Sequence, residues 1–218
     1  MLRLKTDFAT LKLVINDEKI GVITLNRPEV RNAMNTQMMT DMRDCFQQFY
    51  IDPNVAFCLI VTGAGDQAFC SGGDLKERKG MSDETWRQQH AIVEQMVRNM
   101  HDCPIPVIAA VNGAAYAGGM EIALACDFVY AAEHAKFALT EVTLGIIPGA
   151  AGTQNLPRAV GVRRAKEIIL TGTPFTAGDA LTWGMVNKVV PGAKLMDEVM
   201  ATARKIAGNA PVSARQAE

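Results

Sequence analysis

The 218-residue chain is short of several things at once, with 2 tryptophans, 3 tyrosines, 3 histidines and 5 cysteines. Cys45, Cys58, Cys70, Cys103 and Cys126 form no CxxC pair and are odd in number, which argues against a disulfide framework and against a cysteine-based metal site. Reduced, buried thiols are the simpler expectation. No stretch reaches the roughly 20 consecutive apolar residues of a membrane span. Residues 1–15 alternate like a strand and lack the apolar run and small-residue cleavage site of a secretory signal. A soluble, cytoplasmic protein with no membrane partner is expected. An excess of one charge is missing too: 22 basic residues face 23 acidic ones, and a net charge of −1 argues against a nucleic-acid partner.

What is present is apolar side chain, 49% of the residues against 21% charged, enough to bury a sizeable core in one domain. Residues 11–17 and 19–26 are short apolar stretches split by an acidic turn and predict an opening hairpin, which Pro28 ends. Asn35 or Thr36 can cap a helix that places Met39, Met42, Phe46 and Phe49 on one face, the pattern of a core stripe. VAFCLIVT (55–62) reads as a strand buried on both faces, followed by a loop holding Gly63, Gly65, Gly72 and Gly73. A helix from about Asp83 spaces Trp86, His90, Val93, Val97 and Met100 as a core-facing stripe and is stopped by Pro104 and Pro106. A strand over 106–111 then enters a second glycine turn, 113–119, and an apolar helical stretch, 120–125. Residues 127–132 predict another strand, and the chain beyond Val160 reads as mostly helical, with a strand near 185–190. Strands that alternate with helices and run into glycine turns imply an α/β domain with its site at the strand ends.

The familiar glycine motifs do not fit. Gly113 to Gly118 has GxxxxG spacing, but Gly119 and Met120 stand where a P-loop carries Lys and Ser or Thr. Gly63-Ala-Gly65 lacks the third glycine of a dinucleotide fingerprint. Ser71 lacks the glycine two positions before it that a nucleophile elbow requires. None of His90, His101 and His134 lies in a triad context; His90 reads as a satisfied core histidine, and no zinc site is expected. Two backbone N–H groups, one from each glycine loop, could converge on one oxygen and stabilise an oxyanion. Glycines that merely permit tight turns and close packing fit the spacing as well.

Two carboxylates bear on that choice. Glu121 lies three residues after Gly118 among Met120, Ile122, Ala123, Leu124 and Ala125, where an unpaired carboxylate is costly to bury and needs a partner or a function. Glu141 sits in FALTEVTLGIIPG, between a strand-like segment and a glycine-proline turn. A solvated or capping glutamate remains the alternative for each. Paired carboxyl groups suit proton and water chemistry, and their mutual repulsion helps keep one of them protonated.

At this point the residues carry a resemblance. NRPEVRNAMN (26–35), AFCSGGDLKE (68–77), PVIAAVNGAAYAGGMEIALACD (106–127), FALTEVTLGIIPGAAGTQNLPRAVG (137–161) and FTAGDALTWGMVNKVV (175–190) resemble, in order, the crotonase superfamily, the enoyl-CoA hydratase/isomerase family. The resemblance implies a spiral of repeated ββα units with a helical C-terminal part. It implies an acyl-CoA thioester as substrate, with no metal and no cofactor beyond the coenzyme A that belongs to the substrate. It places the oxyanion hole at the N–H groups of Gly73 and Gly118, and the acyl-CoA at Arg31, Ser71, Gly73, Asp74, Leu75 and Gly149. Glu121 and Glu141 match the two glutamates of the family's hydratases, Glu121 activating water at the β-carbon and Glu141 exchanging the proton at the α-carbon.

The implied activity is enoyl-CoA hydration, with isomerisation or another acyl-CoA lyase reaction as the alternative and a non-catalytic acyl-CoA-binding subunit as the rival from another class. Glycine at 149, where family dehalogenases carry a nucleophilic aspartate, disfavours dehalogenation. DLKERKGMS (74–82) is similar to methylglutaconyl-CoA hydratases, some of which bind RNA, yet residues 36–50 hold one basic residue, Arg43, so RNA is not expected as a partner. The resemblance further implies a homotrimer or a dimer of trimers. It divides the chain into a catalytic core over 1–190 and the start of a helical region over 191–218, cut short at Glu218.

Overall fold

Leu11–Ile15 (β1) and Ile20–Leu25 (β2) pair antiparallel as the expected hairpin, with Leu11 opposite Leu25. The protein is described from a computed structural model covering residues 4–217. Asn35 caps Thr36–Ile51 (α1) by accepting from the Met38 N–H at 2.9 Å, and Met39, Met42, Phe46 and Phe49 are all buried.

Three successive ββα passes follow. The first is Cys58–Gly63 (β3), Ala68–Cys70 (β4), the short Leu75–Arg78 (α2) and the long Asp83–His101 (α3). The second is Val107–Val111 (β5), Ala114–Tyr116 (β6) and Gly118–Leu124 (α4); the third is Phe128–Ala132 (β7), Lys136–Ala138 (β8) and Gly152–Val160 (α5). In each pass the first strand joins a large sheet, ordered β1-β2-β3-β5-β7, and the second joins a small one, ordered β4-β6-β8. This is the crotonase-like spiral that the resemblance implied. Parallel pairing of β2, β3, β5 and β7 explains why β3 and β5 are continuous apolar runs buried along their whole length.

Val162–Thr171 (α6), Phe175–Thr176 (β9) and Ala177–Thr182 (α7) continue the chain, β9 closing the edge of the small sheet against β8. Lys188–Val190 (β10) adds to the large sheet beside β7. Leu195–Ala207 (α8) packs Leu195, Val199 and Ala203 onto one face of that sheet, against Ile20, Ile60 and Ile108, and Pro211–Gln216 (α9) follows. The other face carries the larger core, with Phe46, Phe49 and Met96 from α1 and α3.

Three expectations need correction. The strand expected from Val55 begins at Cys58. Each glycine stretch read as an open loop contains a three-residue strand, β4 or β6, too short to show any period. The stripe on α3 is core only in its later turns: Val93 and Met100 are buried, whereas Trp86 is 47% exposed and His90 is half-buried. The first turns of α3 run over a cavity instead of the sheet, and helical spacing reports a face without reporting what lies beneath it.

Candidate active site

Both glycine loops meet at one place because their residues are small enough. A Cβ at Gly72, whose φ of +94° itself favours glycine, would stand 2.9 Å from the Ala117 Cβ and 3.4 Å from the Gly118 nitrogen. Gly73 forms a parallel bridge with Met34 in which Met34 N–H donates to the Gly72 carbonyl at 2.8 Å and Asp74 N–H to the Met34 carbonyl at 2.9 Å. That pattern turns the N–H of Gly73 itself to the opposite side. Gly118 opens α4 after Ala117, which holds φ 48° and ψ −125°. For alanine such a backbone costs on the order of 1–3 kcal/mol, a strain typical of functional sites.

Gly73 and Gly118 border a cavity of about 750 Å³, which is the size of a small-molecule site. Glu121 and Glu141 enter the same cavity, from α4 and from the turn after β8. Glu121 is 3% exposed, and its Oε1 accepts from the N–H groups of Ala150 and Gly152, both at 2.8 Å. Ala151, between those donors, has φ +70°, a left-handed conformation that lets both neighbours aim at one oxygen. Fixing Oε1 leaves Oε2 on the side of Gly118. Glu141 is 5% exposed, and its Oε2 is buried without a hydrogen-bond partner among the described residues.

Burial pushes the Glu121 carboxyl from 4.5 up to about 7, against the pull of the Gly152 and Ala150 N–H groups and with help from the Glu141 charge. Burial likewise raises Glu141. A raised carboxyl keeps its proton in the folded protein after the unfolded chain has released it, so stability falls as pH rises from about 4.5 to about 7. Glu121→Gln removes this penalty. The variant is expected to melt above wild type at about pH 8 and level with it near pH 4, read by calorimetry. A gap independent of pH would contradict the burial account.

Seven of the nine residues singled out from sequence line the cavity: Ser71, Gly73, Leu75, Gly118, Glu121, Glu141 and Gly149. Arg31 and Asp74 lie outside its wall. Arg31 is exposed, with φ +55°, and its carbonyl accepts from the Ser71 N–H at 3.1 Å. Asp74 caps α2 and pairs with Arg27 at 3.0 Å. Burial opposes its charge, but the Arg27 hydrogen bond and charge and two backbone N–H groups outweigh that and hold its carboxyl below the usual range. Asn32, fully buried, ties the same loop by donating to the Ala64 and Ala68 carbonyls.

Sequence reasoning passed over Arg78, Trp86 and Gln89 as wall residues and misjudged His90, which stacks on Trp86 at 5.0 Å. Only the charge of Arg78 at the end of DLKER signalled it. Among the described residues no group of three His, Cys, Asp or Glu is placed to hold a metal, and no helix is long and apolar enough to cross a membrane. The five cysteines are buried thiols, and burial pushes Cys70 up to about 12.

Comparison with known proteins gives the family. The enoyl-CoA hydratase/isomerase family profile matches residues 16–218. The chain belongs to that family. It is 41% identical over 197 residues to the short-chain-enoyl-CoA hydratase of Clostridium acetobutylicum, covering 90% of this chain and 75% of that protein. It is 42% identical over 192 residues to the crotonyl-CoA hydratase of Syntrophomonas wolfei, covering 88% and 72%. The crystal structure of enoyl-CoA hydratase from Bacillus anthracis superimposes with a TM-score of 0.92 at 42% identity, covering 95% of this chain and 80% of that one. Membership makes the protein a crotonase-type enzyme and implies an acyl-CoA thioester as its substrate.

Proposed function

We propose that the chain is a hydratase that adds water across the 2,3 double bond of an enoyl-CoA thioester. The observation that carries the reading is the convergence on one cavity of two buried carboxyl groups, Glu121 and Glu141, with the glycine loops of Gly73 and Gly118. The thioester oxygen sits against the Gly73 and Gly118 N–H groups, which draw electron density from the double bond; one lost donor of this kind typically costs about 2.7–4 kcal/mol. Ionised Glu121, held by Ala150 and Gly152, takes a proton from water as the water oxygen bonds to the β-carbon. Electrons move onto the thioester oxygen, and protonated Glu141 gives its proton to the α-carbon as the enolate collapses. Both carboxyls then re-equilibrate with solvent. Burial supports this division of work: it brings the Glu121 carboxyl up to about 7 and raises Glu141 in the direction that keeps the proton it donates. The coenzyme A arm runs out past Ser71 toward exposed Arg31.

Two buried carboxyls favour hydration over double-bond isomerisation, which needs a single proton carrier. Loss of the conjugated enoyl-thioester absorbance on adding crotonyl-CoA is the test. Steady hydration is expected; binding of the ester without turnover would move the protein to the non-catalytic class.

A further inference from the structure

We infer that Arg78 supplies a full positive charge beside the thioester oxygen and stabilises the enolate that forms there, in addition to the Gly73 and Gly118 N–H groups. The inference rests on the hydratase reading above and adds a residue to its chemistry. Arg78 ends α2, and its Cζ, Nη1 and Nη2 stand 3.1, 3.2 and 3.3 Å from where a Gly73 Cβ would be. Such near-equal distances put that point over the flat face of the guanidinium, so the missing side chain of Gly73 is what lets the cation settle there. A Cβ lies about 2.5 Å from its own nitrogen, which brings the charge within roughly 6 Å of the Gly73 N–H. Arg78, Gly73 and Gly118 line the same cavity. The cation is also held in place. Its Nε donates to the Gln89 Oε1 at 2.9 Å. Gln89, 3% exposed, is itself fixed through Nε2 to the Thr36 hydroxyl at 2.7 Å and to Glu77 Oε2 at 3.0 Å. Glu77 in turn accepts from the Thr36 N–H at 2.8 Å. That chain engages Nε alone, and among the described residues no carboxylate lies within ion-pair distance of Arg78.

A half-buried cation without a counter-ion is costly unless an anion forms near it. The anion here is the product of the reaction's own first step. A backbone N–H offers the thioester oxygen a partial charge, whereas a guanidinium offers a whole one. The bound thioester is neutral and gains little from that charge. The enolate carries a full negative charge, so the interaction is worth more as the water oxygen bonds to the β-carbon than before it. A guanidinium suits this task because it stays protonated at any working pH. Fixed beforehand by Gln89, it need not reorganise as the oxygen becomes charged. The other ionisable groups in the cavity wall are Glu121, Glu141 and His90, the last already facing Glu94 at 3.4 Å.

Two measurements test the inference, one of turnover and one without it. In Arg78→Met, kcat for crotonyl-CoA is expected to fall about tenfold to fiftyfold with KM within about threefold, the size expected for a unit charge within roughly 8 Å of another at the effective dielectric of a protein site. Crotonyl-pantetheine, which lacks the nucleotide phosphates, loses a similar factor in kcat/KM. Arg78→Lys recovers part of the loss, as a point charge on a more flexible stem. The second probe is acetoacetyl-CoA, whose enolate is read by its own absorbance. On Arg78→Met the bound ester is expected to enolise at a pH about one unit or more above that on wild type, the tenfold end of the same effect. Glu121, Glu141 and His90 are the same in both proteins, so the difference reads position 78. A loss seen with crotonyl-CoA but not with the pantetheine ester overturns the inference, because Arg78 then serves the phosphates. A lowered kcat with unchanged enolisation also overturns it, assigning Arg78 a structural role, and so does a kcat within twofold of wild type. Failure of wild type to hydrate crotonyl-CoA overturns the hydratase reading, while the enolisation difference, which needs no turnover, still decides whether Arg78 stabilises an enolate.

Discussion

Glu141→Gln and Glu121→Gln are each expected to lower kcat for crotonyl-CoA hydration by about 10²–10⁴ while leaving the affinity for the ester within a few-fold, measured by the fall in enoyl-thioester absorbance and by calorimetric binding. The substitution keeps the size of the side chain. At position 121 the amide oxygen can still accept from the Ala150 and Gly152 N–H groups, so the loop between them stays in place. What disappears is the ability to take up and release a proton. Because both carboxyls act on one addition, the double variant is expected to lose little more than the worse single one. Full activity in either single variant would refute the two-carboxylate mechanism. A large loss confined to Glu141→Gln would transfer the assignment to double-bond isomerisation.

Gly119→Ala is expected to destabilise the fold by more than about 4 kcal/mol, lowering the melting temperature by roughly 10 °C or more. A Cβ at Gly119 would overlap the backbone carbonyl oxygen of Cys70, standing also 2.7 Å from its carbonyl carbon and 2.9 Å from its Cβ. Neither neighbour has room to yield: Cys70 ends β4, which pairs with β6, and it is fully buried. Relief requires α4 to move off the small sheet, taking Gly118 and Glu121 with it. Gly118→Ala is the contrast, since its Cβ would meet only the terminal methyl of Met34, at 2.5 Å, and a flexible side chain can swing away. That variant is expected to fold with a much smaller loss, read by thermal melting followed in circular dichroism. A Gly119→Ala protein that melts within about 2 °C of wild type would show that the α4–β4 contact is slack.

The same contact explains how much of the site could be read in advance. Gly118 and Gly119 stand at a strand-to-helix turn, and Glu121 sits one turn on among apolar neighbours, so composition alone marks the glutamate as anomalous. Spacing could not decide whether the glycines were donors or spacers. The ordered series of motifs over 26–190 points to the family, and the family match agrees with that; the donor role of the two glycines belongs to the proposed mechanism. Asp74 shows the reverse case: it lies inside a motif tied to the acyl-CoA, yet its carboxylate is engaged by Arg27 and by the start of α2.

By itself the sequence determined the hairpin, the core face of α1, the buried parallel strands and the two glutamates, because side-chain period, capping residues and the cost of an apolar-flanked carboxylate are local properties. Tertiary structure alone decided what each face meets. The N–H groups that hold Glu121 come from residues 29 and 31 positions further along the chain, and Gln89, which aims Arg78, reaches back 53 positions to Thr36. The three-residue strands β4 and β6 are too short to carry a period and form only because each finds its neighbour in the small sheet. Trp86 and His90 share the helical spacing of Val93 and Met100, but the early turns of α3 pass over the cavity and the later ones over the core. Which groups converge depends on how the spiral closes, and closure is set by long-range packing that no local pattern encodes.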